Sequence, residues 1–148
     1  MNELVAALAL ALGGFAVAAC NPILTAESPQ PPGRTARLDD VTGFLGHVKS
    51  YKLELSQGTA IAVTCNYEGP CTHMKLTSDN PELVDIRTAS LGVLRPAGFN
   101  GSAATAAALV IVGKSAGTTT LHLHADEGNR EIAVTILPQP EVSSRSGG

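Results

Sequence analysis

The chain has 148 residues, a formal net charge of −3, three cysteines and no tryptophan, with aromatic residues at 3%. Once its two low-complexity ends are set aside, that length holds one domain with a modest core. The slight acidity and the lack of interleaved basic and aromatic residues exclude a nucleic-acid surface, and stacking platforms for bases or sugars are equally scarce.

Residues 4–19 are almost entirely apolar, and Glu3 is the only charged side chain before them. A run of about 16 residues is short for a spanning helix, which takes roughly 20. It ends in the small residues Ala18 and Ala19, directly before Cys20. Val17-Ala18-Ala19-Cys20 resembles the lipobox of a bacterial lipoprotein signal peptide. The resemblance implies cleavage before Cys20, with lipid on its thiol and on the new amine. More than one acyl chain is what stable attachment needs. In such signals an Asp after the cysteine retains the protein at the inner membrane, so Asn21 resembles an outer-membrane destination, facing the periplasm or the surface. The departure is the absence of Lys or Arg at the front. A plain secretory signal and an uncleaved anchor are the alternatives.

Residues 20–40 carry Pro22, Pro29, Pro31, Pro32 and Gly33 without periodicity. The composition predicts a tether between the lipid and the domain. Residues 39–46 read as a first edge strand or an ordered lead-in. The domain itself is expected over 41–137, and 138–148 reads as a flexible tail.

Within the domain, short runs alternate with a period of two. Tyr51, Leu53 and Leu55 alternate with Lys52 and Glu54, and Ile61, Val63 and Cys65 with Ala62 and Thr64. Met74 and Leu76 flank Lys75, and Val84 and Ile86 flank Asp85. Leu109 through Val112 is a short apolar run, as in a well-buried strand. Leu121 and Leu123 alternate with His122 and His124, and Ile132, Val134 and Ile136 with Ala133 and Thr135. Asp126-Glu127-Gly128-Asn129 predicts a hairpin turn between the last two runs. The expectation is an all-β fold of about seven short strands in two packed sheets. Residues 103–108 read as a helical turn or a slack loop.

The order of these runs resembles the group 2 bacterial immunoglobulin-like domain over residues 49–137. The motifs are Leu55-Ser56-Gln57-Gly58 followed by Ile61 and Val63, then Thr77-Ser78-Asp79-Asn80-Pro81-Glu82-Leu83-Val84-Asp85-Ile86, then Val112 through Leu121 with Gly113 and Gly117. The family's short central step is replaced by the longer 91–108. Residues 110–121 also resemble the N-terminal domain of pilus-type secretins, which assembles around an outer-membrane channel. This chain has no secretin pore region, so the second likeness implies an accessory subunit of a secretion or pilus assembly complex. The first implies an immunoglobulin-like β-sandwich, and both imply a structural or adhesive module without catalysis.

With Cys20 lipidated, Cys65 and Cys71 remain, and an exported protein meets an oxidising compartment. A disulfide is expected, closing Asn66-Tyr67-Glu68-Gly69-Pro70 into a protrusion. Tyr67 and Glu68 are then candidate contacts for a secreted or envelope protein or a cell-wall polymer, as are residues 91–108. The alternative is a local staple with no partner.

His122 and His124 sit two apart on one face of a strand, with His73 or Asp126 as possible neighbours. They are candidate zinc or copper ligands of a periplasmic metal-binding module, or simply a solvent-facing pair. Gly113-Lys114-Ser115 looks like the end of a phosphate loop, but position 108 is Ala where that motif needs Gly, and a strand follows instead of a helix. No nucleotide and no cofactor is expected. Ser90 and Ser115 lack a nucleophile elbow, and no paired carboxylates share a face, so no enzymatic activity is expected.

Overall fold

The computed structural model describes residues 22–29, 31–90 and 107–139. They form nine strands: β1 Ile23–Glu27, β2 Ala36–Thr42, β3 Val48–Ser56, β4 Ala60–Asn66, β5 Lys75–Ser78, β6 Val84–Ser90, β7 Ala107–Gly113, β8 Gly117–Ala125 and β9 Gly128–Leu137. The only helical piece among the described residues is the 3-10 turn Phe44–Gly46. A four-stranded sheet runs in the order β1-β4-β7-β6, and a five-stranded sheet in the order β2-β3-β9-β8-β5. The fold is all-β, and all seven alternating runs are strands.

The alternation fixes which face each residue takes. In β9, Arg130, Ile132, Val134 and Ile136 are buried while Glu131, Ala133 and Thr135 are exposed. Tyr51, Leu53 and Leu55 of β3, Leu121 and Leu123 of β8, and Ile61, Val63 and Ile111 of the opposing sheet complete the core. Fully burying one such aliphatic side chain stabilises the fold by about 1.5–3 kcal/mol. The β8–β9 hairpin turns on Asp126-Glu127, with Ala125 opposite Gly128.

The strand β3 pairs with β9 in parallel, from Tyr51 opposite Ile132 to Ser56 opposite Leu137. Parallel neighbours need a long crossover. Here the whole of β4 to β8 supplies it.

The segment expected as a tether is where the sequence reading has to be corrected. β1 pairs with β4 from Ile23 opposite Asn66 to Glu27 opposite Ala62. β2 pairs with β3 from Ala36 opposite Leu55. The sandwich therefore starts at Ile23, not at residue 41, and no spacer of about 20 residues precedes it. The prolines and glycine between these strands form a tight turn. Arg34 N donates to Pro31 O at 3.1 Å, and Gly33 has φ +73°. Proline at the second position and glycine at the third is the composition of a type II turn. It carries the chain from one sheet to the other. Two buried hydrogen bonds lock the entry: Arg130 Nε donates to Pro22 O at 2.7 Å, and Leu24 N donates to Tyr51 Oη at 2.9 Å.

Three of the four sheet edges are guarded. β2 carries Arg37, Asp39 and Asp40 and a register shift at Val41/Thr42, β5 has only four residues, and β1 follows Pro22. Charges, bulges and short length all discourage edge-to-edge pairing.

Candidate interaction site

Register places several loops at one end of the sandwich. β1 begins there, because Ile23 faces Asn66 at the end of β4. β8 ends and β9 begins there, at Asp126-Glu127. β3 runs parallel to β9, so its start, and the Phe44–Gly46 turn before it, lie at the same end.

The expected disulfide joins Cys65 to Cys71, with the Cα atoms 5.3 Å apart. Cys71 N donates to Cys65 O at 3.0 Å, Tyr67 N to Gly69 O at 2.8 Å, and Gly69 N to Asn66 Oδ1 at 3.0 Å. Glu68 turns the chain with φ 52°. Tyr67 is half-buried and Glu68 is exposed. Ile23, Thr25, Asn66, Tyr67 and Glu68 line an open hollow of about 420 Å³. Thr25 and Thr64 join their hydroxyls across the strands behind it at 2.6 Å.

The loop is clasped to the β8–β9 hairpin in a way the sequence reading missed. Thr72 N donates to the Glu127 carboxylate, 3.0 Å from each oxygen. Thr72 Oγ1 lies 2.9 Å from Glu127 Oε1 and 3.1 Å from Asp126 Oδ2, and its single proton serves one at a time. Asp126 N returns a bond to Thr72 O at 3.3 Å. His73 Nδ1 sits 2.7 Å from Asp126 Oδ2. The hydrogen bond to Asp126, and then its charge, raise the His73 pKa above its ordinary 6.5. The same bond, followed by that from Thr72, lowers Asp126 below 3.8, and the Thr72 backbone bond lowers Glu127. Hydrogen bonds to the charged form favour it. Asp126 and Glu127 could be read as a turn from sequence, but nothing local marks them as the receptors of a loop some 54 residues upstream.

His122 and His124 project from β8 on its outer face, as expected, and each has its own partner. His122 Nε2 is 3.0 Å from Asp79 Oδ1 and its Nδ1 is 3.7 Å from Glu131 Oε1. His124 Nδ1 is 2.9 Å from Asn129 Oδ1. The nearest upstream histidine, His73, is engaged by Asp126. Among the described residues no group of three or more His, Cys, Asp or Glu is placed to hold a metal ion.

The Gly113-Lys114-Ser115 stretch lies at the opposite end, between two strands. Its backbone is already committed: Gly113 N donates to Thr59 O at 3.1 Å and Lys114 N to Leu83 O at 2.8 Å. A Cβ on Gly113 would stand 3.1 Å from Ile136 Cγ2 and 3.2 Å from Ser56 O. The glycine is there for close packing.

Residues 1–21, with Cys20 and Asn21, residues 91–106 of the candidate contact segment 91–108, and residues 140–148 lie outside the described residues. Among the described residues no helix is long and apolar enough to cross a membrane.

No family model matches the chain, so neither the immunoglobulin-like nor the secretin-like resemblance gains support from that side. No curated protein matches it either. Among solved structures it is similar to domains 4 and 5 of the S-layer protein SbsC, with 17% identity and a TM-score of 0.39. That match covers 79% of this chain and 54% of the S-layer chain, so the present chain spans about half the length of its structural neighbour.

Proposed function

We propose that this chain is a lipid-anchored module of the bacterial cell envelope that binds a secreted or envelope protein or a cell-wall polymer without catalysis. One observation carries the reading: the lipobox-like Val17-Ala18-Ala19-Cys20 stands directly before a disulfide-braced β-sandwich. A small domain stapled by a disulfide suits an oxidising compartment, and a lipid on Cys20 keeps it at a membrane surface. Asn21 favours the outer membrane as that surface.

The test is the intact mass of the membrane-extracted protein, native and with Cys20→Ala. The expected result is the mass of residues 20–148 plus acyl groups, lost in the variant. An unmodified full-length mass overturns the lipoprotein reading.

A further inference from the structure

Among the described residues, two large apolar side chains are exposed: Ile23 at 56% and Phe44 at 94%. Single exposed apolar residues need no explanation. These two share the end of the sandwich at which the chain enters. Phe44 is held outward by a closed turn in which Gly43 N donates to His47 O at 2.8 Å and Gly46 N to Gly43 O at 3.2 Å. Ile23 borders the hollow that Tyr67 also lines.

The entry point is fixed. Arg130 holds the Pro22 carbonyl at 2.7 Å and Tyr51 holds the Leu24 N–H at 2.9 Å. Cys20 precedes Pro22 by two residues, and two residues of chain reach at most about 7 Å. An acylated Cys20 sits at the bilayer surface, so this end of the sandwich has no slack with which to stand off from it.

We propose that the end of the sandwich carrying Ile23, Phe44 and Tyr67 seats on the bilayer that holds Cys20, with Phe44 inserted at the boundary between headgroups and acyl chains. The proposal rests on the lipid-anchor reading. Phenylalanine is among the side chains that surface-bound segments bury at the headgroup–acyl boundary. Among the described residues the charges around the seat are mixed, with Glu68, Asp126 and Glu127 against His47, Lys49 and His73. The seat therefore depends on apolar contact and on the anchor, and is indifferent to anionic lipid. The disulfide and the Thr72 clasp give the seat a fixed shape, and the opposite end, with Glu82 and Lys114, faces away from the membrane.

The chain has no tryptophan, so one introduced indole reports its own surroundings. Phe44→Trp, Ile23→Trp and the opposite-end control Glu82→Trp are placed in the membrane-extracted protein. Each is reconstituted in phosphatidylethanolamine–phosphatidylglycerol vesicles containing a brominated phosphatidylcholine quencher. The expected result is a blue-shifted emission at position 44 with roughly half of it quenched, weaker quenching at 23, and a water-like signal at 82. Removing the phosphatidylglycerol leaves this pattern unchanged. A water-like, unquenched signal at position 44 in vesicle-bound protein overturns the seat and leaves Phe44 to a protein partner. The same variants of residues 20–148, coupled through the Cys20 thiol to a maleimide-linked diacyl lipid, separate the two readings. Quenching there, with no acyl mass on the natural protein, defeats natural lipidation and keeps the seat; no quenching there defeats the seat alone.

Discussion

The two ends of the sandwich are closed by different means. At the end holding Gly113, backbone does the closing. Gly58 N donates to Gly113 O at 2.8 Å, Gly113 N to Thr59 O at 3.1 Å, and Gln57 N to Leu137 O at 2.8 Å. The turns pack against core side chains, with Ile136 and Leu55 directly beneath Gly113. At the end holding Cys65–Cys71, a covalent link and a side-chain clasp are added to backbone bonds such as Cys71 N to Cys65 O, and apolar side chains are left outside. Gly113 is packed against the core with no room for a side chain, whereas Lys114, Ser115 and Ala116 after it are exposed. A turn braced by a crosslink needs little core beneath it and is free to present Tyr67 and Glu68. Binding surfaces commonly sit on loops that a rigid scaffold positions.

That comparison is broken most severely at the packed end. Gly113→Val places methyl groups against Ile136 and the Ser56 carbonyl, and overpacking of this kind costs about 2–3 kcal/mol. Urea unfolding is expected to show that loss, with the disulfide-bearing end unchanged in the folded fraction. An unchanged midpoint contradicts the packing role. At the braced end, the double change Cys65→Ser and Cys71→Ser removes a small loop closure, for which chain entropy gives about 2 kcal/mol. The same denaturation series measures it. Amide exchange is expected to rise through residues 66–73 but not at Gly58 or Gly113.

The smallest effect sharpens the contrast through pH. His73 is raised above 6.5, so its contribution is complete below 6.5 and disappears as pH rises through the raised value. Asp126 is lowered from 3.8, so its contribution is present above 3.8 and disappears as pH falls through the lowered value. The clasp is therefore strongest between the two. Thr72 amide exchange is expected to be slowest in that window. In Asp126→Asn, an NMR titration of the His73 ring is expected to return towards 6.5. A His73 titration indifferent to that substitution rules out the pair in solution. Both groups are exposed, so global stability is expected to move little.

Much of the sandwich is legible in the sequence because most strands bury several residues in alternation, as Ile132, Val134 and Ile136 do. β1 and the first half of β2 are not. In β1, Leu24 is the one fully buried side chain, so there is no period to read. In β2 only Ala36 is fully buried. The prolines around them match a disordered spacer as well as they match a turn between sheets. The candidate site divides in the same way. Cys65, Cys71, Tyr67 and Glu68 stand out locally, and so do His122 and His124, although each histidine is engaged by a separate polar partner. Phe44 between Gly43 and Gly46 carried a signal, an aromatic residue at a loop tip, that was open to be read.

Sequence alone determined the β class, the strand faces, the hairpin at Asp126-Glu127 and the pairing of the two cysteines. Each follows from residues within a few positions of one another: a period of two, a turn composition, a short loop between thiols. Only the tertiary structure decided that residues 23–42 belong to the domain and that the N-terminus, Phe44, the disulfide loop and the hairpin share one end. Those facts depend on contacts such as Pro22 with Arg130, 108 residues apart, and Thr25 with Thr64, 39 apart. A strand with one buried residue is stabilised by partners that far away, and no local pattern encodes them.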